Sequence, residues 1–309
     1  MTTLSKPVPP ALENSEPDNS SPTNPGQWRN IRFEVLESVE DLPSFNSVVV
    51  EFLQLCRKEF YSAQDFEKVI CKDQALVARL LKIANCGLFG RSRSVHSIPE
   101  AVVLIGLDNL KKIVYAVSSQ GIMCSNLMHY DYHPDRGFWI HAMAVGQAAQ
   151  ILSEVCPESG LRPEESFVSG LLHDVGKLVL DKFLGPGPHN SANREVEQMA
   201  VGLDHCELAG LILKQWNIPE TITGPVRHHH DFQSGEPWKT EAAILSLARG
   251  VCREWGVGYE KPHDLSREIH HSRFSAEMEV VGLGESEWDE VVWNLRQSLG
   301  KLEEIFSNI

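Results

Sequence analysis

From Leu42 onward the apolar residues of this chain recur three or four positions apart, as in Val48, Phe52 and Leu55 and then Phe66, Val69 and Ile70. That spacing puts them on one face of a helix, whereas a half-buried strand would need them on alternate positions. No run combines alternation, β-branched enrichment and a tight Asn-Gly or Asp-Gly turn, so a sheet is not expected. Ser62-x-x-Asp65 opens one helix as a capping box does, and Ser97 followed by Pro99 and Glu100 places proline in the first turn of another. Residues 74–85, 98–105 and 108–119 read as three further short helices. Residues 285–307 carry Trp288, Val291, Val292, Leu295, Leu299, Leu302 and Phe306 at helical spacing and close the chain with a long amphipathic helix. The expected fold class is all-α.

A chain of 309 residues is long enough for one large domain or two packed lobes. Six of the 17 prolines fall in the first 25 residues beside Ser and Asn, a composition that buries too little apolar area to offset its ordering entropy, so residues 1–28 are expected to be a flexible tail. A Pro, Asp and Gly cluster at 131–137 (DYHPDRG) then divides a helical lobe at 29–130 from a histidine-bearing lobe at 138–275, with 276–309 closing the chain. Lys+Arg minus Asp+Glu is 28 − 42 = −14, which disfavours general nucleic-acid binding. Seven cysteines lack any C-x-x-C pair, as reduced thiols packed like small hydrophobes would, which removes a zinc-ribbon reading. The first residues lack the apolar stretch of a signal peptide and nothing later reaches the length of a membrane span, so a cytoplasmic location and no membrane contact are expected.

His173-Asp174, inside FVSGLLHDVGKLVL, is the most informative pair, because an imidazole beside a carboxylate in apolar sequence must be paired or bound to something. Lys177 follows three positions after Asp174, where on a helix it faces the carboxylate and can pair with it or hold a phosphoryl oxygen. Taken alone, the pair reads equally well as a helix-end ion pair with a capping histidine. Four more histidines, His141, His205, His229 and His230, also sit in helical sequence with apolar neighbours. Imidazoles and a carboxylate suit iron, manganese or zinc, one ion or two bridged by Asp174. Such ions lower the pKa of bound water and present hydroxide to a phosphate.

The order His141, His173-Asp174 with Gly176-Lys177, His205 and His229-His230 resembles the HD phosphohydrolase superfamily and its HD-GYP branch. Five segments resemble a narrower group, the HDOD (HD-related output domain) family, over about residues 40–235: LPSFNSVVVEFLQLC, FEKVICKDQALVARLLKIANCGLFG, VHSIPEAVVLIGLDNLKKIV, GLLHDVGKL and ILKQWNIPETITGPVRHHH. The resemblance implies a two-lobed helical fold with an HD-like bundle as second lobe. It assigns metal-ligand roles to His141, His173, Asp174, His205, His229 and His230, and phosphate contact to Lys177. It also implies a signalling or regulatory role exercised through protein partners. The alternative is a metal-dependent phosphohydrolase acting on a nucleotide or cyclic dinucleotide, with Asp174 and Lys177 catalytic. The chain departs from the superfamily twice. Arg249, in EAAILSLARGVC, falls where an aspartate closes the metal site, and DFQSGEPWKT after His230 lacks the Gly-Tyr-Pro signature.

Other features have plainer readings. His228 is expected at a helix end, Trp216, Ile218 and Ile222 as core anchors, and His270-His271 in solvent without partners. Arg91 and Arg93 read as a solvated turn, and Gly256 to Tyr259 as a turn. Asp204 is expected to orient the His205 ring as a hydrogen-bond acceptor.

Overall fold

The computed structural model describes residues 25–43, 47–58, 60–85, 95–156, 160, 162–185, 192–261 and 263–306. Among these residues it is helical with no strand, and the one extended pairing is an isolated bridge between Tyr132 and Tyr259. Residues 1–24 of the expected tail, and Arg91 and Arg93, lie outside the described residues.

The first half packs α2 (Ser47–Cys56), α3 (Ala63–Ile70), α4 (Gln74–Ala84), α5 (Ile98–Ile105) and α6 (Leu107–Met123) against one another. Each is short because local signals start and stop it. Ser62 and Asp65 form the expected capping box on α3, Asp73 caps α4, and Ser97 caps α5 with proline in its first turn. Their apolar faces meet around Phe52, whose ring lies 5.0 Å from Phe66 and 5.6 Å, edge on, from Tyr115. Fully burying an aromatic of this size contributes about 1.5–3 kcal/mol, so this trio anchors the half.

The second half is built on α7 (Gly137–Val155), which is buried along most of its length. Around it pack α8 (Pro163–Leu172), α13 (Lys239–Glu254) and α15 (Glu285–Phe306). The shorter α9 (Lys177–Leu180), α10 (Arg194–Val201), α11 (His205–Gln215), α12 (Glu220–His228) and α14 (Ser275–Val281) complete it. Trp216, Ile218 and Ile222 are buried as expected. Two boundaries differ from the sequence reading. The first helix, α1 (Pro25–Glu40), begins inside the segment expected to be tail, and it packs on α9, α10 and α11 instead of on the helices that follow it in sequence. Only Val35 and Val39 of its described side chains are buried, a single i,i+4 stripe too sparse to announce the contact in sequence. The FVSGLLHDVGKLVL run is also not one helix: α8 ends at Leu172, residues 173–176 turn, and α9 restarts at Lys177.

A polar seam joins the halves. Lys111 on α6, with its side chain only 3% exposed, donates to Glu164 at the start of α8, Arg57 pairs with Glu165 at 3.2 Å, and Arg162 donates to the Cys56 carbonyl at 2.8 Å. Burial disfavours the Lys111 ammonium, but Glu164 more than compensates and holds it above its ordinary value. Burial likewise raises Glu164, and Lys111 outweighs that to hold the carboxyl below its usual range. The depressed carboxyl stabilises the fold above the pKa of the unfolded side chain, and this contribution disappears as pH falls through the lower folded value. Glu164→Gln leaves the ammonium nearly buried with only Asp108 at 3.6 Å, and is expected to cost about 2 kcal/mol in denaturant unfolding at neutral pH. The deficit should shrink when the comparison is repeated below pH 4, where the wild-type pair weakens too.

Candidate metal centre

Close backbone approaches assemble the site. A Cβ on Gly170 would lie 2.5 Å from the Gly146 Cα, and one on Gly146 would lie 2.7 Å from the Phe167 carbonyl, so α7 and α8 cross almost backbone to backbone. That crossing sets His141 of α7 beside His173, the residue that ends α8, with ring centroids 5.4 Å apart. The turn after His173 runs against the start of α11, where a Cβ on Gly176 would fall 2.1 Å from the His205 carbonyl oxygen. Asp204 and Glu207 form a capping box that fixes where α11 begins, and His205 is its first residue. His229 follows the last residue of α12, and its ring lies 4.4 Å from that of His230. The fold therefore brings His141, His173, Asp174, His205, His229 and His230 together. His141, His173 and Asp174 form one group and His205, Cys206, His229 and His230 another, each with donor atoms within 4.8 Å of one another.

Four of the five rings are held from behind. Nδ1 of His141 lies 3.1 Å from the Val257 carbonyl, that of His173 2.7 Å from the Gly170 carbonyl, and that of His229 2.7 Å from the Val226 carbonyl. His205 Nδ1 lies 2.7 Å from Glu197 Oε2. Carbonyl and carboxylate oxygens only accept, so these Nδ1 atoms carry the protons and the Nε2 atoms present lone pairs. Nε2 of His141, His173, His205, His229 and His230 is buried without a hydrogen-bond partner, as is Asp174 Oδ1. Burial, the largest influence, pushes His141 and His229 well below the ordinary imidazole range and lowers His173 and His230, so these rings are neutral. The His205 Nε2 lone pair faces Asp174 Oδ1 at 3.3 Å, and that of His173 faces Oδ2 at 3.2 Å. Lone pairs gathered on a carboxylate repel one another until a cation stands among them, so these residues fit a divalent metal.

Asp174 is completely buried. Burial alone would raise its carboxyl, but His173 and Lys177 outweigh it and hold the group well below the usual carboxylate range. Its two oxygens differ. Oδ2 accepts from Lys177 Nζ at 2.6 Å and from the Tyr132 hydroxyl at 2.6 Å, whereas Oδ1 faces His205 and, at 3.9 Å, the Nε2 of His229. Lys177 also lies over the rings of Tyr130 and Tyr132, at 5.1 and 5.2 Å. Its burial lowers the ammonium's pKa, with Asp174 opposing the shift. A cavity of about 390 Å³ opens beside this cluster, lined in part by Lys177, Arg194, His205, His230, Arg249 and Arg253.

Several plainer expectations need correction. Asp204 does not orient His205: it caps α11 and pairs with Arg194 at 2.8 Å, while Glu197 holds the ring. Cys206 is buried as expected, and its sulfur stands 3.7 Å from His229 Nδ1, behind the face that the ring presents to Asp174. His228 does end α12. His270 is exposed, but its Nδ1 contacts Ser272, and His271 lies 3.5 Å from Glu285, so neither lacks a partner. The turn at 256–259 supports the site, since Val257 holds His141 and the Tyr259 ring packs edge on against His141 at 5.0 Å.

Sequence reasoning missed Glu197, Tyr130, Tyr132 and Tyr259. Glu197 accepts from His205 and from the Tyr130 hydroxyl at 2.9 Å, so it ties the 124–136 connection to α11. No sequence signal marked Glu197, since the apolar Val196 and Met199 beside it on α10 are the exposed ones.

Among curated proteins, the chain is 24% identical over 237 residues to an uncharacterized protein of Treponema pallidum (strain Nichols); the match takes in 74% of this chain and 45% of that one, so the chain spans about half the length of this relative. It is similar in structure to an HDOD domain protein of unknown function from Geobacter sulfurreducens, with 22% identity, a TM-score of 0.67, and coverage of 91% of this chain and 99% of that one. It is also similar to a protein from Shewanella amazonensis SB2B provisionally named a phosphohydrolase, with 21% identity, a TM-score of 0.65, and coverage of 89% and 97%. The HDOD domain family model matches residues 42–232, more than half of the sequence and nearly the span over which the quoted motifs run, and the chain belongs to that family.

Proposed function

We propose that this chain is a regulatory HDOD protein that acts through protein partners and keeps a divalent metal, iron, manganese or zinc, without turning over a substrate. His141, His173, Asp174, His205, His229 and His230 would hold the ion. When bound, such an ion supplies Lewis acidity and lowers the pKa of bound water. The observation that carries the non-catalytic half of this reading is the commitment of Asp174 Oδ2 to Lys177 and Tyr132. One carboxylate oxygen is left for the metal, so Asp174 is poorly placed to bridge two. Arg249, at the position where the superfamily resemblance expects an aspartate, adds a cation to the cavity wall instead of an anionic ligand. No helix among the described residues is long and apolar enough to cross a membrane.

A second reading, a phosphohydrolase acting on a nucleotide or cyclic dinucleotide, is favoured by Lys177 reaching the cavity beside His205 and His230. Metal analysis of protein purified without chelator, together with turnover of generic phosphodiesters in manganese or iron, separates the two. The regulatory reading expects more than about half an equivalent of metal and the same background rate for wild type and Asp174→Ala. A wild-type rate that Asp174→Ala abolishes would establish the hydrolase instead. Metal below half an equivalent would refute the centre, and failure to capture any protein from its own cell extract would refute action through partners.

A further inference from the structure

Four cations line the cavity beside the imidazole cluster, and three of them have a partner. Lys177 is bound to Asp174 at 2.6 Å, Arg194 to Asp204 at 2.8 Å, and the Arg253 guanidinium lies over the Tyr259 ring at 5.8 Å. Of the three lining acids, Glu197 is taken by His205 and Tyr130, while Asp131 and Glu195 are exposed to solvent. Arg249 is different. Its side chain is half-buried, its Nε is buried without a hydrogen-bond partner, and no carboxylate of the described residues lies within ion-pairing distance of it. It lines the cavity together with His205 and His230, which places it at the rim of the imidazole cluster.

A guanidinium does not lose its proton, so burial cannot neutralise it as it neutralises a histidine or lysine. A partly desolvated cation facing neutral rings is unfavourable until an anion joins it. Arg253 lies one turn further along α13, so both guanidinium groups border the same space. A guanidinium presents a planar fork that matches two oxygens of a phosphate or carboxylate. The imidazole wall opposite is built for a metal, which would also take an oxygen. A carboxylate has two oxygens in one plane and uses both on the fork, whereas a tetrahedral phosphate has oxygens left for the other wall.

We propose that Arg249 makes this cavity a receptor for a phosphate-bearing small molecule, gripped between its guanidinium and the imidazole wall, with Arg253 as the outer contact. This rests on the regulatory reading above and supplies its input: the position that would carry an acidic metal ligand in a hydrolase carries an anion receptor here. The volume of about 390 Å³ leaves room for a phosphate attached to a further group.

The test is calorimetric titration of the metal-bearing full chain with inorganic phosphate, and with acetate at matched ionic strength. Wild type is expected to bind phosphate and not acetate. Arg249→Gln should weaken phosphate at least ten-fold with unchanged metal content and unchanged thermal unfolding, and Arg249→Lys, which keeps the charge without the fork, should fall between. Equal phosphate affinity in wild type and Arg249→Gln would overturn the proposal, as would no wild-type binding up to about 10 mM phosphate. Should Arg249→Gln unfold, Arg253→Gln replaces it, with a three-fold or greater weakening expected and none overturning the role of this face. Metal content is read separately in the same samples, so a protein that holds metal but ignores phosphate sinks the receptor and leaves the centre standing. Arg249-dependent phosphate binding by metal-free protein would sink the centre and leave the receptor.

Discussion

Asp174→Asn is expected to reduce the metal content of the purified protein below about one tenth of an equivalent, with the fold retained by far-ultraviolet circular dichroism. The substitution changes almost no volume, so packing is spared. It removes the one negative charge that faces the imidazole lone pairs, because Glu197 is spent on the back of His205 and Arg249 is cationic. It also leaves Lys177 buried opposite a neutral amide, and an ammonium so placed repels an incoming ion. Loss of a carboxylate ligand together with the balance of a buried lysine should weaken metal by more than the roughly 10–100-fold typical of losing a supporting hydrogen bond. Metal content equal to wild type, by elemental analysis, would mean that the imidazoles bind without Asp174 and that its convergence with them serves only packing.

The second large effect concerns a residue without a side chain, whose carbonyl holds the His173 ring. Gly170→Ala should destabilise the protein by about 3 kcal/mol, which for a chain of this size lowers the melting temperature by on the order of 5–10 °C. Helix propensity alone predicts the opposite sign, since alanine exceeds glycine by about 1 kcal/mol in a helix interior. The clash wins because the atoms met at 2.5–2.7 Å are the Gly146 Cα and N and the Val145 carbonyl carbon, backbone that cannot swing aside. Forced apart, α7 and α8 also carry His141 and His173 away from each other, so metal affinity should fall in the same variant. An exposed control, Gly121→Ala on α6, meets nothing within 4 Å and should be neutral or stabilising.

The helical character and most of the imidazole cluster were legible in the sequence, for different reasons. Helices α3 and α5 announce themselves through local chemistry, a capping box and a proline in the first turn, which needs no tertiary contact to be read. His173-Asp174 stood out because ionisable groups in apolar sequence need a partner, and the wider set came from resemblance to the HD superfamily. What was illegible depends on contacts distant in sequence. On α10 the pattern is inverted: Glu197 is fully buried while Val196 and Met199 are 39% and 58% exposed, so the hydrophobic face points away from the residue that matters. Tyr132 sits in a Pro, Asp and Gly cluster that reads as a separator, yet its hydroxyl reaches Asp174 because Gly258, more than a hundred residues later, accepts from the His133 backbone and pins the connection down. The interruption between α8 and α9 was hidden because apolar residues run on both sides of His173-Asp174 and the turn carries no proline to mark a break.

Helix α8 carries at one end Glu164 and Glu165, clasped by Lys111 and Arg57 of the first half, and at the other His173. Ten residues of α-helix make a strut about 15 Å long, and its close crossing with α7 leaves it little room to bend. Clasp and imidazole thus stand at the two ends of one short rod, and the length of that rod sets how far the seam between the halves lies from the cluster.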